Sequence, residues 1–412
     1  MKKLLLLIAI INFGIVNSQE TNCTEKQSEI TSLLDEKDFK NAADVLKEIL
    51  KKCPKFNEKN YQIGIDILQY NIDISTDETR EVAINDFVKL LEQYDANFPN
   101  NRNGNGVKKA MTLYNYKVGD EKEIFNLLDT AFNKDKAQFV DANAIFTYFK
   151  LYHDEYLDKS KKISETDLMD KYNQVLFLLD ETSNAFPDKN IDFRNATFAT
   201  KALMKENLSP EKLVSYAEMS FEKNKSNTAW LDSTLKLLSD KSASKPVFGK
   251  LAETLHQLKP SSKSAYYLGE FNLKNLKIDQ GLNYFQEAIK SSNDKLEKAK
   301  IAYAMATIYA NSDKAKSREM VRLAIENDSQ NGKYYIFLAN LYANSVQECG
   351  AKKEQINGIY KLASNTVLKA AAVEPKLKST AEQLSKKYLS SMTNQNQKSI
   401  QIDCWINEAV QF

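Results

Sequence analysis

The sequence predicts an all-α protein built from antiparallel helix pairs, on three observations. Turn-forming residues are scarce: the 412 residues include 11 Gly and 7 Pro, where average usage of ~7% and ~5% would supply roughly two to three times as many. Apolar residues recur in steps of three and four along nearly the whole chain, the period of one helix face. Helix-start signals are frequent, with Ser209-Pro210, Asn293-Asp294 and Ser312-Asp313 each standing at the head of an apolar-periodic stretch. Sandwiches, barrels and doubly wound sheets need many more tight turns and are excluded on this ground. The chain carries 57 Lys+Arg against 55 Asp+Glu, without the basic excess of an electrostatic nucleic-acid binder.

Taken in order, the first segment reads as an address. Lys2 and Lys3 precede an apolar run from Leu4 to Val16, and small residues follow at Asn17-Ser18. This is the layout of a secretory signal, with cleavage expected after Ser18, and the run is shorter than the ~20 residues a spanning helix needs. Cys23 follows Glu20-Thr21-Asn22, which is no lipobox. Loss of Lys2 and Lys3 with residues 1–18 would balance the mature charge. No other run approaches spanning length, so the mature chain is expected to be soluble. The two-lysine start and the lack of a C-terminal retention signal point to a bacterial periplasmic or secreted protein.

Four cysteines, Cys23, Cys53, Cys349 and Cys404, fit an oxidising compartment. Four cysteines allow three connectivities. A first helix over about Thr24–Glu36 and a second over about Asn41–Lys52 would bring Cys23 beside Cys53, so 23–53 and 349–404 is the favoured pairing. A metal site is disfavoured by the lack of CxxC and by only two histidines.

Further along, Asn57 to Asn227 is helical without a clear repeat, and the run Phe98-Pro-Asn-Asn-Arg-Asn-Gly-Asn-Gly106 is a loop, expected to mark a joint near residue 100. In Ile278–Lys290, Ile278, Leu282, Phe285 and Ile289 form one apolar face, with Gly281, Tyr284 and Ala288 beside them. At the end of the chain Ile400, Ile402, Cys404 and Ile406 alternate with polar residues, which reads as an extended segment over 393–412 that lies back across the last helices as a cap.

Paired helices of this length call for a repeat search. Ala265, Leu268, Gly269, Gly281, Phe285 and Ala288 fall at positions 4, 7, 8, 20, 24 and 27 of a 34-residue unit. This set resembles the tetratricopeptide repeat (TPR). Trp230 takes position 4 of the preceding unit and Ala299 that of the next, which closes with Val321 and Ala324. Tyr335, Leu338, Ala339, Tyr342, Ala363, Val367, Ala370 and Pro375 make a third unit with a long inter-helix loop around Ser345–Gln355. Ala42, Leu46 and Pro54 suit a degenerate unit near the start. The expected organisation is therefore a signal over 1–18, a degenerate helical region over 19–227, TPR-like repeats over 228–392 and the tail over 393–412.

Chemistry-bearing motifs are absent. Neither GxxxxGK[ST] nor GxGxxG occurs. His153 and His256 lack the spacing of a relay or a metal site and read as solvated helix residues. Asn101-x-Asn103-x-Asn105-Gly106 copies the opening of a calcium loop, but Thr112 stands where a bidentate Glu belongs. It reads as a turn. No catalytic, cofactor-binding or metal-ligating residue is assigned.

The resemblance implies a right-handed superhelix whose inner groove binds a protein or peptide through positions 2, 5, 9 and 12 of each unit. These are Lys263, Tyr266, Glu270 and Leu273 in one repeat and Lys333, Ile336 and Asn340 in another. The expected function is a non-catalytic binding scaffold of the bacterial cell envelope. A carbohydrate-processing hydrolase on an α/α scaffold, working through paired carboxylates, is the alternative, and a deep cleft with converging acids would mark it.

Overall fold

The computed structural model describes residues 22–134, 136–158, 160, 162–349, 353–393 and 398–412. The expected signal segment 1–18 and its cleavage point lie outside the described residues. The chain divides into two compact units between Lys205 and Glu206.

The first unit contains α1 (22–35), α2 (Phe39–Lys52), α3 (Lys59–Ile74), α4 (Asp77–Asn97), α5 (Asn105–Tyr116), α6 (Glu121–Lys134), α7 (Ala142–Leu157), α8 (Glu165–Ala185) and α9 (Asn190–Leu203). Asp38 caps α2 by accepting from the Asn41 amide, and Ser164 and Asp167 form a reciprocal capping box on α8. Ile30 of α1 packs with Ala42, Val45, Leu46 and Ile49 of α2. The ends of this first pair are joined by Cys23–Cys53, with Cα atoms 6.4 Å apart, as the antiparallel arrangement requires. Between α4 and α5 the Asn-rich run is a turn held by its own amides. Asn101 and Asn105 both donate to Asp95 (2.9 and 2.7 Å), and Asn103 donates to the Tyr94 hydroxyl. Gly104 takes φ +65° to start α5.

The second unit contains α10 (Pro210–Asn224), α11 (Thr228–Ser242), α12 (Pro246–Leu258), α13 (Ser262–Lys274), α14 (Ile278–Ser291), α15 (Lys295–Tyr309), α16 (Lys314–Asn327), α17 (Gly332–Ala343), the single turn α18 (Val346–Cys349), α19 (Lys353–Val373) and α20 (Lys378–Ser390). The three start signals read from the sequence cap as expected: Ser209 accepts from Lys212 N, Asp294 from Leu296 N and Glu297 N, and Asp313 from Lys316 N. The repeat-bearing segment 228–392 lies within this unit.

Three tight antiparallel pairs, α13/α14, α15/α16 and α17/α19, have the arrangement the repeat pattern implied. Their helices approach where side chains are smallest. A Cβ on Gly269 would run into the Phe285 ring, and one on Gly281 would lie 2.5 Å from Leu273 Cγ and 3.1 Å from the Gly269 carbonyl. Ala265, Ala288, Ala299, Ala302, Ala306 and Ala324 are fully buried at equivalent contacts. One detail differs from the sequence reading: Ile278, in the first turn of α14, is 42% exposed. Leu282 and Phe285 carry that face instead.

The C-terminal segment is a hairpin rather than one extended strand. Strand β1 (Ser399–Ile402) pairs antiparallel with β2 (Glu408–Gln411), placing Ile400 opposite Val410 and Ile402 opposite Glu408. The alternation stops at Ile402, and the chain reverses through Cys404 (φ +65°) and Asn407 (φ +43°). The hairpin packs on α19, where Gly358 leaves room for Ile400 and Ile402. Ile402, Ile406 and Val410 join the core of α15–α20. Arg318 and Arg322 of α16 reach across to Glu408, at 3.1 and 2.5 Å, and the buried Tyr342 hydroxyl donates to the same carboxylate at 3.0 Å. Arg318 also donates to the Ile406 carbonyl and lies 5.6 Å over the Trp405 ring. Cys349–Cys404, with Cα atoms 5.5 Å apart, ties the hairpin to the end of α18. The helix that packs along the last repeat helix, α19, is α20, through Ser364–Ser385, and it reaches α17 through Tyr388, which donates to Asn340.

Two outcomes follow from this packing. Gly269→Ala overfills the α13/α14 crossing and is expected to lower stability by ~1–3 kcal/mol, read from the urea midpoint. Cys349→Ser/Cys404→Ser is expected to lower stability by ~2–4 kcal/mol and to raise amide exchange in 398–412 well before the helices lose protection.

Candidate functional site

The residues assigned to the groove lie on α13 and α17, and α11 and α15 are the first helices of the neighbouring pairs. α11 meets α13 through side-chain bridges, α13 and α15 share a core that joins Ala265 to Ile301 and Met305, and α15 meets α17 through Tyr303, whose ring centroid lies 4.9 Å from that of Tyr334 and 5.3 Å from that of Phe337.

The seven groove residues do not share one environment. Lys263 Nζ reaches back to Asp232 Oδ2 of α11 at 2.6 Å. Glu270 accepts from Ser239 Oγ of α11 at 2.6 Å. Burial holds the Glu270 carboxyl above its ordinary range, a shift that the Ser239 hydrogen bond partly offsets. Tyr266 stacks on Phe285 of its own pair, with centroids 5.2 Å apart and planes within 9°, and burial raises its hydroxyl pKa. Leu273 packs over Gly281. Lys333 is exposed, and Ile336 is half-buried against the core of α15–α20. Asn340 accepts from the Tyr388 hydroxyl of α20 at 2.7 Å. The face is therefore built partly from helix-to-helix bridges and partly from half-buried apolar surface, which can gain further burial from a ligand.

Asp232 and Ser239 were not singled out from the sequence. Both precede their partners by 31 residues, close to one repeat, and that spacing is the signal that would have found them. Tyr388 had no such signal, since α20 falls outside the repeat pattern.

Neither histidine is fully solvated: His153 is buried and His256 half-buried. His153 is 9% exposed on the inner face of α7, beside Phe149 and Tyr156. His256 bridges helices, with Nδ1 3.0 Å from Ser264 Oγ and Nε2 3.3 Å from Glu287. Both lie on the packed side of their helices, where an aromatic ring fills space as an apolar residue would. Among the described residues, no group of three His, Cys, Asp or Glu could hold a metal ion. No helix among them is long and apolar enough to cross a membrane.

No family model matches the sequence, and no curated protein matches it. Among solved structures, the chain is similar to the APC/C hetero-tetramer Cut9-Hcn1 at 12% identity, covering 87% of this chain and 74% of that one with a TM-score of 0.32. It is also similar to Naa15/Naa10 bound to HypK-THB at 15% identity, covering 86% of this chain and 59% of that one with a TM-score of 0.25. Scores this low carry no weight for function, and the fold rests on the helix pairs described above.

Glu270 gives this face a pH signature. A carboxyl whose folded pKa is raised contributes stability fully below its unfolded pKa, and that contribution is lost as pH rises through the folded value. Glu270→Gln keeps the acceptor for Ser239 and removes the charge. In a urea series, the variant is expected to exceed the wild type in midpoint near pH 8 and to converge with it near pH 4.

Proposed function

We propose that the protein is a non-catalytic scaffold of the tetratricopeptide type that holds a protein or peptide on the first-helix face of its second unit. The observation that carries this reading is the side-by-side arrangement of α11, α13, α15 and α17. Tyr266 and Ile336 leave part of their apolar surface open there, and Lys333 is exposed. A row of shallow contacts on rigid helices suits an extended chain better than a small metabolite. The non-catalytic reading is supported by how the face uses its charges: Lys263 is engaged by Asp232 and Glu270 by Ser239, which are structural roles rather than a facing pair of acids.

The setting we propose is the bacterial envelope, periplasmic or secreted, after removal of residues 1–18. Two disulfides among the described residues support an oxidising compartment.

A photo-reactive residue in place of Tyr266 is expected to crosslink a discrete partner in an envelope extract, where the same residue on the far side of α16 does not. With that partner purified, Lys333→Glu/Ile336→Asp is expected to weaken binding at least tenfold, ~1.4 kcal/mol, with the helical circular dichroism unchanged. Equal affinity for a folded double variant would remove this face from the interaction.

A further inference from the structure

The loop between α13 and α14 carries a residue that its backbone does not favour. Helix α13 ends in a Schellman turn, in which Lys277 N donates to the Asn272 carbonyl at 2.9 Å and Leu276 N to the Leu273 carbonyl at 3.1 Å. That turn holds Leu276 in the left-handed region, at φ +61°. Glycine usually stands at this point, or asparagine, because a Cβ at positive φ crowds the backbone. The other non-glycine residues at positive φ among the described residues are Lys37, Lys117, Asn407 and the disulfide-bonded Cys404. Leu276 is 85% exposed, so packing does not offset its backbone strain, and Ile278 beside it is 42% exposed. An apolar tip is thus held in water at a position where glycine or asparagine would relieve both the strain and the exposure.

The surroundings of this tip are positive. The loop between α11 and α12 lies alongside it, joined by the Asn275 side-chain amide, which donates to the Ser244 carbonyl at 3.3 Å. The two loops and the helix ends beside them carry Lys241, Lys245, Lys274 and Lys277, all exposed and none held in an ion pair among the described residues. The nearby acids are engaged elsewhere. Asp240 acts on Tyr266 and Glu270, on the groove side. Asp279 sits in the first turn of α14, and Glu211 in the first turn of α10, where it bonds to Ser209. A helix N-terminus favours a carboxylate in that place. Lys274 and Lys277 therefore flank the exposed leucine with their charge open to solvent.

We infer that this tip docks the protein reversibly on an anionic phospholipid surface. Leu276 and Ile278 enter the headgroup layer, and Lys241, Lys245, Lys274 and Lys277 meet the lipid phosphates. A convex apolar point ringed by long cationic side chains suits a deformable interface, which needs no preformed pocket to receive it. Each lysine near such a surface adds a several-fold gain in binding, and a short apolar insertion adds a similar one. Neither is strong alone, so the docking is weak, cooperative between the two and sensitive to salt. The contact is peripheral, in keeping with the lack of a helix among the described residues that could cross a membrane. None of the seven groove residues belongs to the tip, so lipid docking and partner binding can fail separately.

The test is flotation of the full chain with phosphatidylcholine vesicles, prepared with and without phosphatidylglycerol. The wild type is expected to float with the anionic vesicles, to release from them as salt is raised, and to stay behind with the neutral ones. Lys241→Gln/Lys245→Gln/Lys274→Gln/Lys277→Gln is expected to lower the partition coefficient more than tenfold. Leu276→Asn, which suits the left-handed turn, is expected to lower it roughly three- to tenfold while raising the urea midpoint. A leucine with a structural role would lose stability on the same change, so opposite movement of the two readings is the distinguishing result. No flotation at about 5 mM lipid, equal partition of the wild type and the folded Leu276→Asn variant, or equal binding to neutral vesicles overturns the inference. Binding of soluble polyglutamate that Leu276→Asn leaves unchanged, with no flotation, also overturns it and assigns the lysines to an acidic polymer.

Discussion

The second unit depends on how closely two antiparallel helices can approach. At the α13/α14 crossing the backbone is bare on both sides, at Gly269 and Gly281, and each glycine receives a large side chain from the opposite helix, Phe285 and Leu273 respectively. That exchange brings Phe285 near enough to support Tyr266 by stacking, and so fixes a residue of the candidate binding face from the far side of the pair. Small residues at equivalent places in α15, α16 and α19 repeat the approach with alanine instead of glycine. Interiors are dense enough that one added carbon at such a point is felt.

The C-terminal hairpin shows a different kind of constraint. A two-stranded ribbon is marginal on its own, and this one is held by everything around it. Ile402, Ile406 and Val410 enter the core, a disulfide fixes the turn, and Glu408 collects three donors from α16 and α17. A half-buried carboxylate with three donors is well satisfied. Burial, with Glu408 beside it, pushes the Tyr342 hydroxyl up to about 12, which keeps it a neutral donor to that carboxylate.

Charge is used in two ways across the molecule. On the first-helix face, Lys263 and Glu270 are tied to α11, while Tyr266 and Ile336 stay half-buried and Lys333 is exposed. Around α2 and α4 the opposite holds: Lys47, Lys51 and Lys89 are exposed and joined by no ion pair to another described residue, above Ala43, Leu46, Leu68 and Leu90, which are buried.

Much of the architecture was legible in the residues because it rests on local, periodic physics. Helical spacing, cap residues such as Ser209, Asp294 and Asp313, and small residues at fixed intervals depend only on positions near one another in the chain. Cys23–Cys53 was legible for the same reason, since it joins the ends of a single helix pair. Contacts between elements were not legible. The sequence could place Lys263 and Glu270 on the groove-facing side of α13, but not show that Asp232 and Ser239 would occupy them. His153 and His256 looked solvated because sequence alone does not tell which flank of a helix a neighbour will cover. The turn at Cys404 was hidden in an unbroken alternation of apolar and polar residues. The packing of Leu46 and Leu90 over Gly64 has no local signature at all: it draws on three helices, and only the tertiary structure brings them to one place.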